Sequence, residues 1–376
     1  MSKIIFGTQR ISEHNPQHLQ ALKEAIKSGI RMIDTSPKYM DGGAQRTIAL
    51  AFREFEDDIR DNIEVITKFD INSNPSEVLE NSLKDLELNS ISCYMIENPE
   101  SVLYKAIEDG ISKDDRLDEM NRLIFEAFLE CETLVQSGKI KSYGISSEAF
   151  SVIHKDDKFL PYEDLVTLAM EAAHELKNEK HSFSTIELPI NILENEGLGC
   201  AKWAKEQGLR VIATRPLNGI TNNQVYRLAD YDESHEYYHH LNELLEVTDN
   251  ELLKPLFNLF EELDASKHKF GWVGDYETFL YTQAIPHMQK ALKNIDEQNA
   301  QTMLNFIDLF LIEYKKMVEY ECAKKTRIAL KEVFKDCKLK MQECAIKHLL
   351  NIDDIDYIAV GMRKPSYVDE IISLEL

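Results

Sequence analysis

Four residues able to handle protons stand at or just past the ends of short apolar runs: Asp34, Tyr39, Lys68 and Glu97. An acid, a phenol, an amine and a second acid, once gathered, make a general acid with its own tuning groups. Lys68 closes the run Val65-Ile66-Thr67, where a charged amine is costly unless it is paired. Asp34 is a suitable partner, and Tyr39 follows it by five positions. A nearby ammonium favours phenolate, so the pair is expected to lower the Tyr39 pKa. Taken singly, each residue also has a plainer use, Tyr39 in a loop and Lys68 in a structural ion pair. The chemistry therefore depends on a fold that brings them together.

The alternation of elements predicts such a fold. Strands are expected at Ile4 to Thr8, Arg31 to Thr35, Glu64 to Phe69, Ile91 to Ile96, Ile140 to Ser146, Ser184 to Leu188, Arg210 to Thr214 and Asp356 to Gly361. Helical spacing separates most of them, over Pro16 to Ser28, Ala44 to Phe55, Ser76 to Leu86, Arg122 to Gln136, Tyr162 to Leu176, Gly199 to Gln207, Met341 to Leu350 and Ser366 to Ser373. Eight strands alternating with helices predict a parallel sheet closed into an α/β fold of the (β/α)8 TIM-barrel type. An open doubly wound sheet would want a glycine-rich phosphate turn after an early strand, and no G-x-G-x-x-G occurs. Barrels carry catalytic groups at the C-terminal ends of their strands, which is where the four residues fall.

Residues 221–340 break the rhythm. Long amphipathic stretches, Leu241 to Leu263 and Met303 to Tyr320, predict a helical insertion without strands between the seventh strand and the last β/α unit. The barrel is then 1–220 with 341–376. A connection leaving the seventh strand emerges on the catalytic face, so the insertion is expected as a cap, or equally as a packing or oligomer element. Its aromatics Trp272, Tyr276, Phe279 and Tyr281 are expected to serve mainly as its own core.

Composition narrows the partners. The 376 residues are 43% hydrophobic, enough for a large core, and the net charge of −23 repels phosphate backbones and anionic lipid. Nucleic acid and membrane surfaces are therefore not expected as partners. The six cysteines form no C-x-x-C pair and no zinc pattern, so no metal is expected and reduced thiols in a cytoplasmic protein are the simplest account. The first ten residues lack the apolar run of a signal peptide, and no stretch nears the ~18 apolar residues of a membrane helix. A monomer and a helix-packed dimer fit equally well.

The order of several segments resembles the aldo-keto reductases. GIRMIDTSPKYMDGGAQRTIA is similar to the segment that carries that family's catalytic Asp and Tyr, VITKF to the one carrying its Lys, and SLKDLELNSISCYMIENPE to the one ending in a catalytic His. The likeness continues through LVQSGKIKSYGISS, IELPINILE, GLRVIATRPLNGI and IDYIAVGMRKPSYVDEI. It covers nearly all of 1–220 and 341–376 and excludes the insertion. In detail it is similar to a branch with the phrases HNPE, RPLN and VGMR.

The resemblance implies an NADPH-dependent oxidoreductase acting on a small carbonyl compound. Tyr39 would be the proton donor, tuned by Lys68 and Asp34, with Glu97 beside them. Hydride would come from the nicotinamide of NADP(H). Ser146 matches a serine that binds the carboxamide, Arg363 a position near the adenosine 2′-phosphate and Glu370 one near the adenine. Glu187 and Arg215 are placed with these as cofactor residues. Five positions depart from the pattern. Glu97 stands for His, Ser147 for Asn, Glu187 for Gln, Thr214 for an aromatic residue and Ile371 for Asn. Glu for His occurs in the family's steroid 5β-reductases, so an ene-reductase with a neutral Glu97 is one alternative. A non-catalytic binding or regulatory member is the other, favoured by the altered nicotinamide positions.

Overall fold

Period-two alternation sends one set of strand side chains into the barrel and the other under the surrounding helices. The computed structural model describes residues 2–374 apart from 222, 250 and 294. Its strands are β1 (Ile4–Gly7), β2 (Met32–Asp34), β3 (Glu64–Asp70), β4 (Cys93–Glu97), β5 (Tyr143–Ser146), β6 (Phe183–Pro189), β7 (Arg210–Thr214), the short pair β8 (Asn218–Thr221) and β9 (Gln224–Arg227), and β10 (Tyr357–Gly361). β1 to β7 and β10 pair in parallel and close into an eight-stranded barrel, with β10 between β7 and β1. Its middle is apolar: Ile5, Met32, Ile66, Cys93, Met95 and Ile212 form one buried cluster. On the β7 and β3 positions before this layer, Arg210 Nη1 pairs with Glu64 Oε2 at 2.8 Å. Two residues beyond the layer, the same inward set reads Asp34, Lys68 and Glu97.

The helices follow from their caps and apolar faces. Asn15 accepts from the Gln17 amide ahead of Pro16–Lys27, whose Ala21, Leu22, Ala25 and Ile26 are buried. Gly29 then takes a φ of 97°, closing that helix where other residues would be strained. The helix expected from Arg122 begins earlier, at Lys113. Ser112 accepts from the Asp115 amide, and Asp114 and Asp115 suit the positive end of the dipole. Its polar first turns carry no apolar period to read. Glu100–Glu108 is a further helix that the spacing did not announce.

The chain divides into two compact units, Met1–Gly219 with Ala345–Leu376, and Ile220–Cys344. The second has its own core, in which Tyr237, Phe260, Phe310 and Tyr314 are buried together. The expected stretch Leu241 to Leu263, which crosses residue 250 outside the described residues, is two helices, Tyr237–Thr248 and Lys254–Ser266. Pro255 sits in the first turn of the second, where a missing N–H costs nothing. Met303 to Tyr320 lies within one helix, Glu297–Ala329. Tyr276 is buried in this core and Phe279 packs against it, whereas Trp272 is half-buried and Tyr281 exposed.

Two expectations are corrected. The insertion was expected without strands, but β8 and β9 pair as a two-stranded sheet. Each has only four residues, too few for alternation to be read. Thiols were expected throughout, but Cys337 and Cys344 are joined in a disulfide. The helix starting at Met341 brings their Cα atoms to 6.2 Å, within bonding range. Cys93, Cys131, Cys200 and Cys322 are buried free thiols. Among the described residues, no helix is long and apolar enough to cross a membrane.

Candidate active site

Strand register gathers the site. Asp34, Glu97 and Ser146 are the last residues of β2, β4 and β5, while Lys68 and Glu187 lie two residues before the ends of β3 and β6. Glu97 stands opposite Ser146, and Ser146 opposite Glu187, so three polar residues form one row on adjacent strands. β5 shifts register between Tyr143 and Gly144, and a Cβ at Gly144 would run into the Thr185 carbonyl. The glycine is thus what lets β5 and β6 close up below Ser146.

Lys68 is the hub. It is 1% exposed, and its Nζ donates to Asp34 Oδ1 and, at 3.2 Å, to the Tyr39 hydroxyl oxygen. The same Nζ lies 2.9 Å from Glu187 Oε1. Ser146 Oγ donates to that oxygen at 2.7 Å. Glu187 Oε2 is buried with no partner among the described residues. Glu97 Oε2 accepts from Ser36 Oγ at 3.0 Å and lies 3.8 Å from Lys38 Nζ. Lys38 itself donates to Asp70 Oδ2 at 2.9 Å.

The loop that carries Tyr39 is held under strain. Met40 and Asp41 both have φ 52° and Gly42 has φ 79°, three successive left-handed residues. Non-glycine residues in that region cost roughly 1 kcal/mol or more each and persist only where their surroundings fix them. Arg46 does so here. Both its Nη atoms donate to the Asp41 carbonyl at 3.2 Å, and its Nε is anchored on Glu13 Oε1 at 2.7 Å.

These contacts set the proton affinities. Burial, then the Glu187 charge, push Asp34 up to about 7 against the pull of Lys68. Burial works against the Lys68 charge, yet Asp34 and Glu187 together outweigh it and hold its pKa well above the usual lysine range. The expected lowering at Tyr39 is corrected: its pKa is raised. Burial is the larger effect, Lys68 lowers the value, and Asp34, Glu187 and Glu97 push it up again. The site therefore presents a neutral phenol hydrogen-bonded to an ammonium, which is the form a proton donor needs.

A family model for the aldo/keto reductase family matches residues 3–375. The chain belongs to the aldo/keto reductase family. Human aldo-keto reductase family 1 member C1 is 32% identical over 149 residues, which span 38% of this chain and 43% of that protein. The match thus covers less than half of that relative's length. Among solved structures, an aldo/keto reductase from Klebsiella pneumoniae in complex with NADP and acetate has 14% identity and a TM-score of 0.48, covering 100% of this chain and 86% of its own. A holo aldo-keto reductase from Bacillus halodurans has 14% identity and a TM-score of 0.49, with the same coverage.

The expected cofactor residues fall in three places. Ser146 and Glu187 join the Lys68 network. Arg215, just past β7 with φ 53°, is engaged by Glu194 Oε1 at 2.6 Å and Glu148 Oε1 at 3.3 Å. Arg363 follows β10 by two residues, and Glu370 lies on the helix Pro365–Ile372. Ser147 is turned to Glu100, donating to its Oε2 at 2.7 Å. Sequence reading missed Ser36, Arg46 and Glu100, which nothing in their local spacing marks. It missed the Lys68–Glu187 pair for another reason. Glu187, like Lys68, is a lone charge in an apolar run, but the two were not matched.

Proposed function

We propose that this chain is an NADP(H)-dependent oxidoreductase that reduces a small carbonyl compound, with Tyr39 as the proton donor. The observation that carries this reading is the buried Lys68 Nζ, which donates to both the Tyr39 hydroxyl and Asp34. The ammonium stabilises the phenolate left when Tyr39 gives up its proton, and Asp34 and Glu187 together hold the lysine charged. The neutral, raised phenol keeps its proton until a substrate oxygen takes it. NADPH would supply the hydride.

The residues present fit such a cofactor at the nicotinamide end. Glu187 Oε2 is a buried acceptor lacking a donor among the described residues, and a carboxamide N–H would satisfy it. Ser146 stands beside it as the second polar group. Arg363 is the proposed 2′-phosphate contact, with Glu370 near the adenine and Arg215 on the intervening rim. The proposed setting is the cytoplasm.

An ene-reductase would need Glu97 to donate a hydrogen bond to the substrate carbonyl. Fluorescence titration with NADPH and NADH, followed by turnover of 4-nitrobenzaldehyde and of an enone, tests all three readings. Binding with aldehyde turnover is expected. Enone turnover alone favours the ene-reductase, and failure to bind either nucleotide favours a non-catalytic protein.

A further inference from the structure

We infer that Glu187 is a positioning residue, a second counter-ion to Lys68 that makes Asp34 keep a proton from which Tyr39 is recharged after each turnover. Its use in turnover rests on the reductase reading above; its existence does not. A buried ammonium needs one anion, yet Lys68 Nζ donates to Asp34 from β3 to β2 and lies 2.9 Å from Glu187 on β6. Asp34, Lys68 and Glu187 are respectively 5%, 1% and 2% exposed. Fully ionised, the three carry a net charge of −1 inside the barrel. Uncompensated charge there is expensive, and a retained proton removes it.

The surroundings point the same way. The charged and titratable groups facing this trio are Tyr39 from the loop after β2 and Glu97 from β4, with Lys38 at 3.8 Å from Glu97. Glu97 adds negative potential, and Lys38 is drawn off by Asp70 at 2.9 Å. Asp34 accordingly sits at about 7, with Glu187 the largest charge raising it after burial.

The step balances in single protons. Tyr39 O–H breaks as its proton passes to the carbonyl oxygen of the substrate, whose carbon would receive the hydride that a bound NADPH supplies. The phenolate then takes a proton from the Lys68 ammonium, and the resulting amine takes one from the Asp34 carboxyl. Asp34 is refilled from solvent. The first transfer runs along the hydrogen bond from Lys68 to Tyr39; the second crosses the Lys68–Asp34 contact, whose direction reverses once Lys68 is an amine. Glu187 contributes by position and charge: without it the Asp34–Lys68 pair is neutral, and burial is left as the main effect raising Asp34, opposed by Lys68.

The test is a carbon-13 NMR titration of aspartate side chains in the full chain without nucleotide, with the Asp34 signal identified by its loss in Asp34→Asn. In wild type the Asp34 midpoint is expected near neutral pH. In Glu187→Gln it is expected to fall by about two pH units or more towards the ordinary aspartate value, and Glu187→Asp is expected to restore it. An unchanged midpoint in folded Glu187→Gln overturns the inference. If that variant fails to fold, the wild-type titration still decides, because an ordinary acidic midpoint also overturns it. A neutral Asp34 midpoint in a chain that reduces no carbonyl compound defeats the reductase reading alone. An acidic midpoint with turnover defeats this inference alone.

Discussion

Glu187 Oε1 and Lys68 Nζ are 2.9 Å apart although their strands, β6 and β3, are separated in the sheet by β4 and β5. Such a contact crosses the interior of the barrel, so Lys68 ties β2, β3 and β6 together as well as meeting Tyr39. Replacing it by Met keeps the volume but leaves Asp34 and Glu187 buried without their cation. Breaking a buried pair from one side costs roughly 3–5 kcal/mol. Urea unfolding of Lys68→Met at pH 8 should show a loss of that order. The triple variant with Asp34→Asn and Glu187→Gln should recover most of it. Equal loss in both variants would mean that the lysine acts through packing instead of charge.

Tyr39→Phe removes the hydroxyl that Lys68 reaches at 3.2 Å and little else. Loss of a general acid typically lowers kcat by about 10²–10⁴-fold. That fall is expected for carbonyl reduction, with NADPH binding unchanged by fluorescence titration. Turnover retained within a factor of about three would remove Tyr39 from the chemistry.

Asp34 makes stability depend on pH in the direction opposite to most carboxylates. Its pKa rises from an ordinary 3.8 to about 7 on folding. Between those values the folded chain binds the proton and the unfolded chain does not, so folding takes up protons and stability falls as pH rises. Its contribution is complete below about pH 4 and spent above about pH 7, on the order of a few kcal/mol. Urea midpoints of wild type should decline across that window relative to Asp34→Asn. Parallel curves for the two proteins would refute the assignment.

The fold was legible because barrel strands, buried on both faces, announce themselves as short continuous apolar runs, Val65-Ile66 and Cys93-Tyr94-Met95-Ile96 among them, separated by helical spacing. The four candidate residues were legible by the same logic, since Asp34, Lys68 and Glu97 close such runs and Tyr39 follows Asp34 by five positions. What alternation leaves out is distance across the barrel. Lys68 and Glu187 are 119 positions apart, and only closure of the sheet makes them neighbours. The sign of the Tyr39 shift was missed for a related reason. A sequence shows the cation beside a phenol but not the burial and the three carboxylates that outweigh it. The strands β8 and β9 and the disulfide escaped because four-residue strands and a six-residue gap between cysteines carry no pattern of their own.

Cofactor preference tests the segment after β10. Arg363, with Lys364 next to it, is the proposed site for the 2′-phosphate, which a guanidinium binds with two charge-assisted hydrogen bonds. Their loss in Arg363→Ala should weaken NADPH by about tenfold or more and leave NADH nearly unchanged. Equal affinities for the two nucleotides in wild type, unaltered by the substitution, would leave both residues as solvated charges.

Replacing residues 221–340 by a short linker separates the roles of the two units. All eight barrel strands and the buried cluster of Ile5, Met32, Ile66, Cys93, Met95 and Ile212 lie outside that span. The insertion's core runs from Tyr237 to Cys322 and shares no residue with it. Units with separate cores can fold separately. The shortened chain is therefore expected to give a cooperative unfolding transition and to bind NADPH as the full chain does. Loss of the Asp230 carboxylate, which accepts from the Met341 amide at 2.8 Å, should fray the start of the helix Met341–Leu350 by about 1 kcal/mol. If the insertion takes part in turnover, kcat/KM for the aldehyde should drop while the NADPH dissociation constant holds. Unchanged turnover would instead make the insertion an interaction element, and an unfolded product would show that the barrel depends on it for stability.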